Sequence, residues 1–194
     1  MIKLGITGII GSGKSVVSSI FRILEIAVYD ADYNAKLLMN TSSEIKDKLI
    51  LEFGQNAYTH EVLNKQYIAS QIFNNEKKRQ VINSIVHPIV KNDFIEWANN
   101  QKGDICAIES ALLYESGLNT ILDKTILVTS PENIIIERIC NRDKTTKGEA
   151  LKRIESQSFY KSLNQTPNYT IVNDDEHSLI LQSLDIIKQI RNKW

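Results

Sequence analysis

The sequence predicts an α/β protein in which a mostly parallel β-sheet is covered by helices on both faces. Short apolar runs rich in β-branched residues alternate with longer segments whose apolar residues recur at helical spacing. Strands that alternate with helices in this way form parallel sheets, because each helix carries the chain back across one face. With 194 residues, 42% of them hydrophobic, the chain is long enough to bury the core that such a fold requires.

The first strand and the first helix have the clearest patterns. Residues 2–7 are apolar, largely β-branched and followed by Gly8, which predicts a buried strand. Residues 14–24 then predict a helix, because their apolar side chains lie at helical spacing, as Val16, Val17, Ile20, Phe21 and Leu24. Residues 26–29 form a second short apolar run, so we expect a second strand that ends at Asp30.

Beyond the second strand the pattern becomes almost wholly helical. Residues 33–100 show brief breaks near residues 40–42 and at Gly54, and contain no strand of convincing length. Further strands are predicted at 105–108, 125–128 and 169–172, and helices at 131–140, 148–160 and 178–191. We therefore expect a sheet-containing core of residues 1–32 and 101–194, and a helical insert of residues 33–100 that binds an acceptor molecule.

Composition argues against several classes of function. The formal net charge is zero, whereas a nucleic-acid-binding protein usually carries a basic stripe, so we expect no nucleic-acid partner. No apolar run approaches the ~20 residues that span a bilayer, and the N-terminus has the pattern of a strand rather than a signal peptide. Cys106 and Cys140 lie far apart without a zinc-binding pattern, which predicts free, mostly buried thiols in a reducing cytoplasm.

The strongest motif is a phosphate-binding loop between the first strand and the first helix. The sequence fits G-x-x-x-x-G-K-[ST] in full, as Gly8-Ile9-Ile10-Gly11-Ser12-Gly13-Lys14-Ser15. Such a loop points backbone N–H groups at phosphate oxygens, and the helix N-terminus adds partial positive charge. The lysine supplies a full charge for the β- and γ-phosphates, and the serine hydroxyl is placed to ligate Mg²⁺. A glycine-rich turn that binds nothing is disfavoured, since neither of these two side chains has a packing role there. The predicted ATP site therefore comprises Gly8, Gly11, Ser12, Gly13, Lys14, Ser15 and Val16.

Two aspartates follow the second strand. Alternation along an extended chain puts Asp30 and Asp32 on one side, and the carboxyl end of a parallel sheet is where ligands bind. A carboxylate at this position can take the proton of an attacking hydroxyl, which favours Asp32 as base and Asp30 as support. The alternative is a helix N-cap for a segment that starts at Tyr33, which accounts for one aspartate more readily than for two.

Glu109, at the end of the third strand, is a candidate Mg²⁺ ligand, with a solvated loop carboxylate as the alternative.

Arg138 and Arg142 lie four residues apart, on one face of a helix, with a polar break at residues 141–144. A following helix carries Arg153. Helix, polar loop and helix after the fourth strand suggest a lid of about residues 138–165, whose arginines neutralise the transferring phosphoryl group. An ordinary solvated helix face remains the alternative.

His87 and Pro88 lie inside the helical insert. Proline starts a helix well, so we expect Pro88 to begin one and His87 to be extended before it. The histidine can bind phosphates of the acceptor or serve as a polar turn residue.

Taken together, these landmarks resemble the bacterial dephospho-CoA kinase family over essentially the whole chain. The matching segments are Thr7 to Ser15, Val28 to Asp32, Phe53-Gly54, Val86 to Ile89, Glu109 to Glu115, Glu137-Arg138, Arg142-Asp143, Arg153 with Gln157, and Ile171 to Asn173. The phosphate-binding loop is shared by many kinases. By contrast, few kinases share the ordered set of D-A-D, H-P, L-L-[FY]-E and the lid arginines.

The resemblance implies a P-loop NTPase-type three-layer fold with a five-stranded parallel sheet, a CoA-binding insert and a small lid. It implies transfer of the γ-phosphate of ATP, with Mg²⁺, to the ribose 3′-hydroxyl of dephospho-coenzyme A, the last step of coenzyme A biosynthesis. In this family Asp32 would be the acceptor-activating carboxylate. Arg142, together with Arg138, would reach the ATP phosphates, and Asn173 would lie beside the adenine. The acceptor would contact Asp30, Asp32, His87 and Leu112. We expect a cytoplasmic enzyme that is a monomer, with an oligomer as the alternative.

The sequence departs from the family pattern at a few positions. Ile9 and Val16 stand where the family usually has glycine and threonine, and neither is a primary phosphate ligand. Leu163 replaces a common lysine or arginine, with Lys161 nearby. Glu109 and Ala111 replace a common aspartate and proline, which bears on the metal assignment.

Two other classes remain open from the residues alone. The first is a different small-molecule kinase, acting on a nucleotide, nucleoside or shikimate-like alcohol. The segment beginning Glu109-Ser110 lacks the D-G-[FY]-P-R signature of adenylate-kinase-type enzymes, which argues against that type. The second is a nucleotide-dependent switch or assembly ATPase. The paired aspartates with a lid suit an alcohol acceptor better than either.

Overall fold

A computed structural model describes residues 1–73, 75–157 and 166–192 of the chain. The chain divides into two compact units, one made of Met1–Tyr29 with Gln101–Trp194 and the other of Asp30–Asn100. We refer to them as the sheet unit and the insert. The predicted 148–160 helix extends beyond the described residues, and Lys161 and Leu163 lie outside them.

The sheet unit is built on five strands in the order β2-β5-β1-β6-β7. Its strands are β1 (Ile2–Thr7), β2 (Ala27–Asp30), β5 (Ile105–Glu109), β6 (Lys124–Thr129) and β7 (Tyr169–Val172). Its helices are α1 (Lys14–Ile23), α6 (Glu132–Asp143), α7 (Lys147–Glu155) and α8 (Leu179–Arg191). β1 pairs in parallel with β5 and β6, and β6 pairs in parallel with β7. The predicted five-stranded parallel sheet is confirmed, and β1 lies at its centre.

The main core of this unit packs α1 and α8 on the sheet. Leu4 and Ile6 of β1 are fully buried, as are Val17 and Phe21 of α1. They share one cluster with Ile186, Ile187 and Ile190 of α8. The alternation of fully apolar strands with amphipathic helices is what made these elements readable in the sequence. Cys106 is a buried free thiol and Cys140 a partly buried one, and burial raises the pKa of the Cys106 thiol to about 11.

A second, smaller cluster lies between α6 and α7. It consists of Ile135, Ile139, Ala150 and Ile154, with Ile9, Ile10, Ile136 and Cys140 packed against it. We call it the α6–α7 cluster. α6 continues through Asp143 and ends at Lys144 in the left-handed conformation, φ 51°. The predicted helix end at residue 140 is therefore wrong, since α6 extends three residues further. Ile139 is fully buried in this cluster and anchors the last turns of the helix.

The insert is mainly helical, as predicted. Its helices are α2 (Ala31–Thr41), α3 (Ser43–Phe53), α4 (Lys65–Ile72) and α5 (Glu76–Asn99). A short antiparallel hairpin of β3 (Tyr58–Thr59) and β4 (Val62–Leu63) interrupts them, and the turn residues His60 and Glu61 have positive φ. Two tyrosine hydroxyls tie the insert together, because Tyr58 donates to the Met39 carbonyl at 2.6 Å and Tyr67 to the Phe53 carbonyl at 2.7 Å.

The expected helix start at Pro88 is wrong. α5 is continuous from Glu76 to Asn99, with His87 and Pro88 inside it. A proline in a helix interior removes one amide donor and crowds the preceding turn. Here the helix continues because its apolar face, which includes Val86, Val90 and Phe94, is buried on both sides of the proline. Packing thus overrides the local preference that the sequence analysis used.

None of the helices within the described residues is long and apolar enough to cross a membrane.

Candidate active site

The predicted phosphate-binding loop joins the central strand β1 to α1. Gly13 is the N-cap of α1 in the left-handed region, with φ 98° and ψ 21°. Its carbonyl accepts the first helical hydrogen bonds, from the N–H groups of Val16 and Val17 at 3.0 and 3.2 Å. Lys14 and Ser15 therefore form the first turn of the helix, where the N–H groups and the helix dipole favour an anion. Val16 follows them as an exposed residue, 52% accessible.

Asn173 supports the loop from behind. Its side-chain Nδ2 donates to the Ser12 carbonyl at 2.8 Å, and its own N–H donates to the Thr129 carbonyl at 2.8 Å. A Cβ added to Gly13 would lie 2.0 Å from this Nδ2 atom, so the position admits only glycine for steric as well as conformational reasons. Asn173 is 6% exposed. In this structure Asn173 stabilises the loop through its hydrogen bond to Ser12, and its contact with adenine stays a prediction.

The Lys14 side chain folds back over the loop. Its Nζ donates to the carbonyl oxygen of Ile9 at 3.2 Å. The same carbonyl accepts the Ser12 N–H at 3.2 Å. A neutral carbonyl holds an ammonium group less strongly than a phosphate oxygen does, so this contact keeps the cation at the loop while leaving it able to exchange partners.

The carboxyl end of β5 lies beside the start of the loop. Glu109 is in register with Ile6 of β1 and is partly buried. Thr7 Oγ1 donates to the Ser110 carbonyl at 2.8 Å, and Ser110 N–H donates to the Ile6 carbonyl at 3.0 Å. Leu112 lies in the following turn, and its N–H donates to Ser110 Oγ at 3.1 Å. Glu109 thus lies at the carboxyl end of the sheet, next to the end of β1 from which the loop starts.

As a metal site, this edge offers Ser15 and Glu109, which carry the oxygen donors that Mg²⁺ prefers. Across the described ranges no group of three or more His, Cys, Asp or Glu side chains forms a protein-only metal cage. A divalent ion held mainly by nucleotide phosphates and water needs only one or two protein ligands, so the donor set fits Mg²⁺ bound with ATP.

Arg138 is engaged within the sheet unit. Its guanidinium donates to the Asn173 side-chain oxygen at 3.1 Å and to Asp175 Oδ1 at 2.7 Å. It also contacts the Asn173 carbonyl at 3.3 Å. Arg138 therefore orients the asparagine that braces Ser12, which is a role that its helical spacing did not indicate.

Arg142 forms a bidentate ion pair with its neighbour Asp143. Arg142 Nε donates to Asp143 Oδ1 at 2.7 Å, and Nη2 donates to Oδ2 at 3.0 Å. Arg153 binds the same carboxylate. The hydrogen bond from Arg142 is the main reason that the pKa of Asp143 is below its ordinary value, and the pKa of Arg142 is raised in turn. One carboxylate thus gathers two arginines, and both remain about half exposed.

In the insert, the expected alternation of the two aspartates does not occur, because α2 begins at Ala31. Asp30 is its N-cap and accepts the Tyr33 N–H at 2.9 Å, while Asp32 lies exposed in the first turn. The N-cap alternative therefore describes Asp30, with the helix starting two residues earlier than considered. Asp32 is an exposed carboxylate two residues after the end of β2.

His87 is partly buried in the middle of α5. Burial lowers its pKa below the ordinary value of 6.5, so the ring is neutral near pH 7 in the free protein. An anion placed beside such a histidine favours its protonated form.

Two contributors to the site have no signature in the sequence. Gln157 accepts the N–H of Ile10 in the phosphate-binding loop, and Asp143 pairs with the lid arginines. Both entered the sequence analysis only as members of matching segments. A side chain that reaches a backbone amide 147 residues away leaves no local pattern.

Comparison with known proteins identifies relatives over the whole chain. The family model described as dephospho-CoA kinase matches residues 2–178. The dephospho-CoA kinase of Porphyromonas gingivalis is 40% identical over 194 residues, covering 100% of this chain and 96% of that protein. The dephospho-CoA kinase of Bacteroides fragilis is 34% identical over 193 residues, covering 99% and 94%.

Solved structures show the same fold at lower identity. A protein from Thermus thermophilus aligns with a TM-score of 0.77 and 24% identity, covering 99% of this chain and 97% of that one. The dephospho-CoA kinase from Campylobacter jejuni aligns with a TM-score of 0.68 and 21% identity, covering 97% and 96%. A shikimate kinase from Bacteroides thetaiotaomicron aligns with a TM-score of 0.55 and 14% identity, covering 98% of each chain. These likenesses establish the three-layer fold of P-loop kinases.

Proposed function

The chain belongs to the dephospho-CoA kinase family, and on that premise we propose that it transfers the γ-phosphate of ATP to the ribose 3′-hydroxyl of dephospho-coenzyme A. The products are coenzyme A and ADP. The family assignment argues against both alternatives that the residues left open, namely a kinase for another small alcohol and a nucleotide-dependent switch. We expect the enzyme to act in the cytoplasm, as a monomer, on this small-molecule substrate.

The observation that carries the proposal is the assembled phosphate-binding loop at the centre of the sheet, with Lys14 and Ser15 in the first turn of α1. Backbone N–H groups and Lys14 stabilise the negative charge that spreads over the transferring phosphoryl group. We assign Gly8, Gly11, Ser12, Gly13 and Val16 to the nucleotide as well. Ser15 and Glu109 would hold the Mg²⁺, which offsets phosphate charge when the nucleotide is bound.

For the acceptor, the proposal assigns Asp32 as the residue that positions the 3′-hydroxyl and takes its proton. The hydroxyl oxygen then attacks the γ-phosphorus in line. The bond between the γ-phosphorus and the β,γ-bridging oxygen breaks, and ADP leaves with that electron pair. Exposure of Asp32 suits a group that must meet a ligand. Asp30, His87 and Leu112 are proposed to contact the acceptor, with Asp30 also fixing the start of α2.

The arginines have separate roles in this scheme. Arg142 exchanges part of its pairing with Asp143 for phosphate oxygens, which an exposed guanidinium can do at small cost because surface ion pairs are weak. Arg138 remains bound to Asn173 and Asp175 and supports the nucleotide site indirectly. Contacts of Asn173 and Arg138 with the nucleotide itself stay predictions.

The test is ADP release from Mg-ATP measured with and without dephospho-coenzyme A, with the product mass checked for one added phosphate. We expect strong acceptor-dependent turnover that yields coenzyme A. Tight ATP binding without stimulation by dephospho-coenzyme A would contradict the proposed acceptor. A panel of nucleosides, nucleotides and shikimate would then identify the alcohol that is phosphorylated.

A further inference from the structure

One amide of the phosphate-binding loop is bound by a distant side chain. The N–H of Ile10 donates to Gln157 Oε1 at 2.7 Å, a short and well-formed hydrogen bond. Gln157 lies just beyond the end of α7, so the contact links the helical pair α6–α7 to the tip of the loop. Both residues belong to the sheet unit.

Apolar packing joins the same two regions independently of that hydrogen bond. The side chains of Ile9 and Ile10 pack on the α6–α7 cluster, where Ile139 and Ala150 are fully buried. Gly11 is pressed against α6 as well, since a Cβ there would lie 3.0 Å from Ile135 Cγ2 and 3.1 Å from Ile139 Cγ1. Three consecutive loop residues are therefore fitted to this helical pair.

The contact also reaches the cation of the loop. The Ile9 carbonyl, which belongs to the peptide unit that carries the Ile10 N–H, accepts Lys14 Nζ at 3.2 Å and Ser12 N–H at 3.2 Å. Holding the Ile10 N–H in place therefore fixes the plane of that peptide and the direction of its carbonyl. The position of Lys14 is set in part through this peptide.

We propose that Gln157 is a positioning residue that fixes the Ile9–Ile10 peptide and thereby preorganises the phosphate-binding loop for nucleotide. Its neutral amide satisfies a loop N–H without bringing negative charge to the place where phosphates bind. The proposal rests on the proposed function only in that the loop binds a nucleotide, and not on which alcohol is phosphorylated.

The experiment compares wild-type protein with Q157A, Q157E and the control E155A. Glu155 lies two residues earlier and is exposed. The amide exchange of Ile10 is followed by NMR on ¹⁵N-labelled protein, and the affinity for Mg-ADP is measured by calorimetry, both without acceptor. Far-ultraviolet circular dichroism checks that each variant is folded, and Q157N replaces Q157A if the latter does not fold.

In Q157A we expect Ile10 exchange to accelerate about tenfold or more and the Mg-ADP dissociation constant to rise about tenfold, the factor that one lost hydrogen bond of this kind can account for. In Q157E the carboxylate still accepts the N–H, so protection of Ile10 is retained, but repulsion of phosphate weakens Mg-ADP binding. E155A matches the wild type in both measurements. Steady-state KM for ATP rises in Q157A while KM for the acceptor changes less than about twofold.

Unchanged Ile10 exchange together with unchanged Mg-ADP affinity in Q157A overturns the inference. Failure of the proposed function has a different signature. In that case dephospho-coenzyme A is not phosphorylated by any of the four proteins, while the differences in exchange and Mg-ADP affinity among them persist.

Discussion

The sheet unit and the insert carry their polar residues in different ways. In the sheet unit, the phosphate-binding loop from Gly8 to Val16 is one contiguous segment, and its geometry follows from one strand, one turn and one helix. In the insert, Asp30 and Asp32 belong to the start of α2, whereas His87 lies in the middle of α5, more than fifty positions later. The difference teaches that a contiguous motif determines its own geometry, while a dispersed set depends on how helices pack.

The candidate ligand-binding residues of the two units differ in charge as well. In the sheet unit, the candidate phosphate ligand Arg142 pairs with Asp143, which also binds Arg153. The insert holds an exposed Asp32 and a His87 that burial keeps neutral. Arg142 can thus exchange a carboxylate for phosphate, whereas the proposed acceptor-binding residue His87 is neutral near pH 7 until an anion beside it favours the protonated form.

The largest effect is expected from Lys14→Met in the sheet unit. Without the ammonium group, the charge on the transferring phosphoryl group loses its mobile cation, and turnover should fall by about 10⁴-fold. Affinity for Mg-ATP should fall too, while the thermal midpoint stays close to that of the wild type. Turnover is measured by coupled ADP release, and binding by calorimetry. Wild-type affinity for Mg-ATP in this variant would contradict the role given to Lys14.

The matching change in the insert is Asp32→Asn. It should lower turnover by about 10³-fold, the usual contribution of a positioned proton acceptor, without weakening Mg-ATP binding. The pair of variants therefore tests whether the two units divide nucleotide binding from acceptor activation. Asp47→Asn, on an exposed position of α3, serves as the control. Near-normal turnover of Asp32→Asn would remove this carboxylate from the mechanism.

A smaller effect on stability is expected from Gly13→Ala. The new Cβ would overlap Asn173 Nδ2, and the backbone would be held at φ 98° with a side chain present. Strain and overpacking together should lower the free energy of unfolding by about 3 kcal/mol. The control is Gly148→Ala in α7, where no atom lies within 4 Å of the added Cβ. Urea unfolding compares the two, and an equal effect of both substitutions would speak against the tight packing at Gly13.

The smallest effect concerns the pH dependence of stability and His87. Because burial lowers the pKa of His87 from 6.5 in the folded protein, the unfolded chain binds a proton below that pH when the folded chain does not. The free energy of unfolding should therefore decrease as the pH falls below 6.5, by at most about 1.4 kcal/mol per pH unit. Urea unfolding of the wild type and of His87→Asn at about pH 7.5 and about pH 5.5 isolates this contribution. An identical pH dependence in both proteins would contradict it.

The part of the molecule that the sequence predicted well is the part in which local pattern decides structure. The inner strands β1 and β5 are short, largely buried apolar runs, and the loop from Gly8 to Ser15 follows from residue type and spacing. The insert was correctly expected to be helical, but its boundaries were less accurate. The hairpin with its turn at His60 and Glu61 is too short to show a period.

The incorrect expectations share a physical cause. Pro88 lies inside α5 because buried contacts on both sides outweigh its local preference, and α6 extends past Cys140 because Ile139 anchors it. Asp30 caps α2 rather than alternating with Asp32, since the helix starts immediately after the strand. The contact of Gln157 with Ile10 depends on tertiary structure alone. Propensity and spacing describe single elements, and these features arise where elements meet.

The central position of β1 bears on the order in which the chain can fold as it is synthesised. β1 is made first, yet its partners are Ile105 to Glu109 on one side and Lys124 to Leu127 on the other. At ribosomal rates of about 5–20 residues per second, its first partner emerges roughly 5–20 s later. Within the insert, α2 and α3 pack on α5, and α5 ends at Asn99, so these partners are synthesised before β5. The helices of the insert, which carries most of the proposed acceptor contacts, therefore emerge before β1 gains its neighbouring strands, and nucleotide in the cell can stabilise only the last stage of folding.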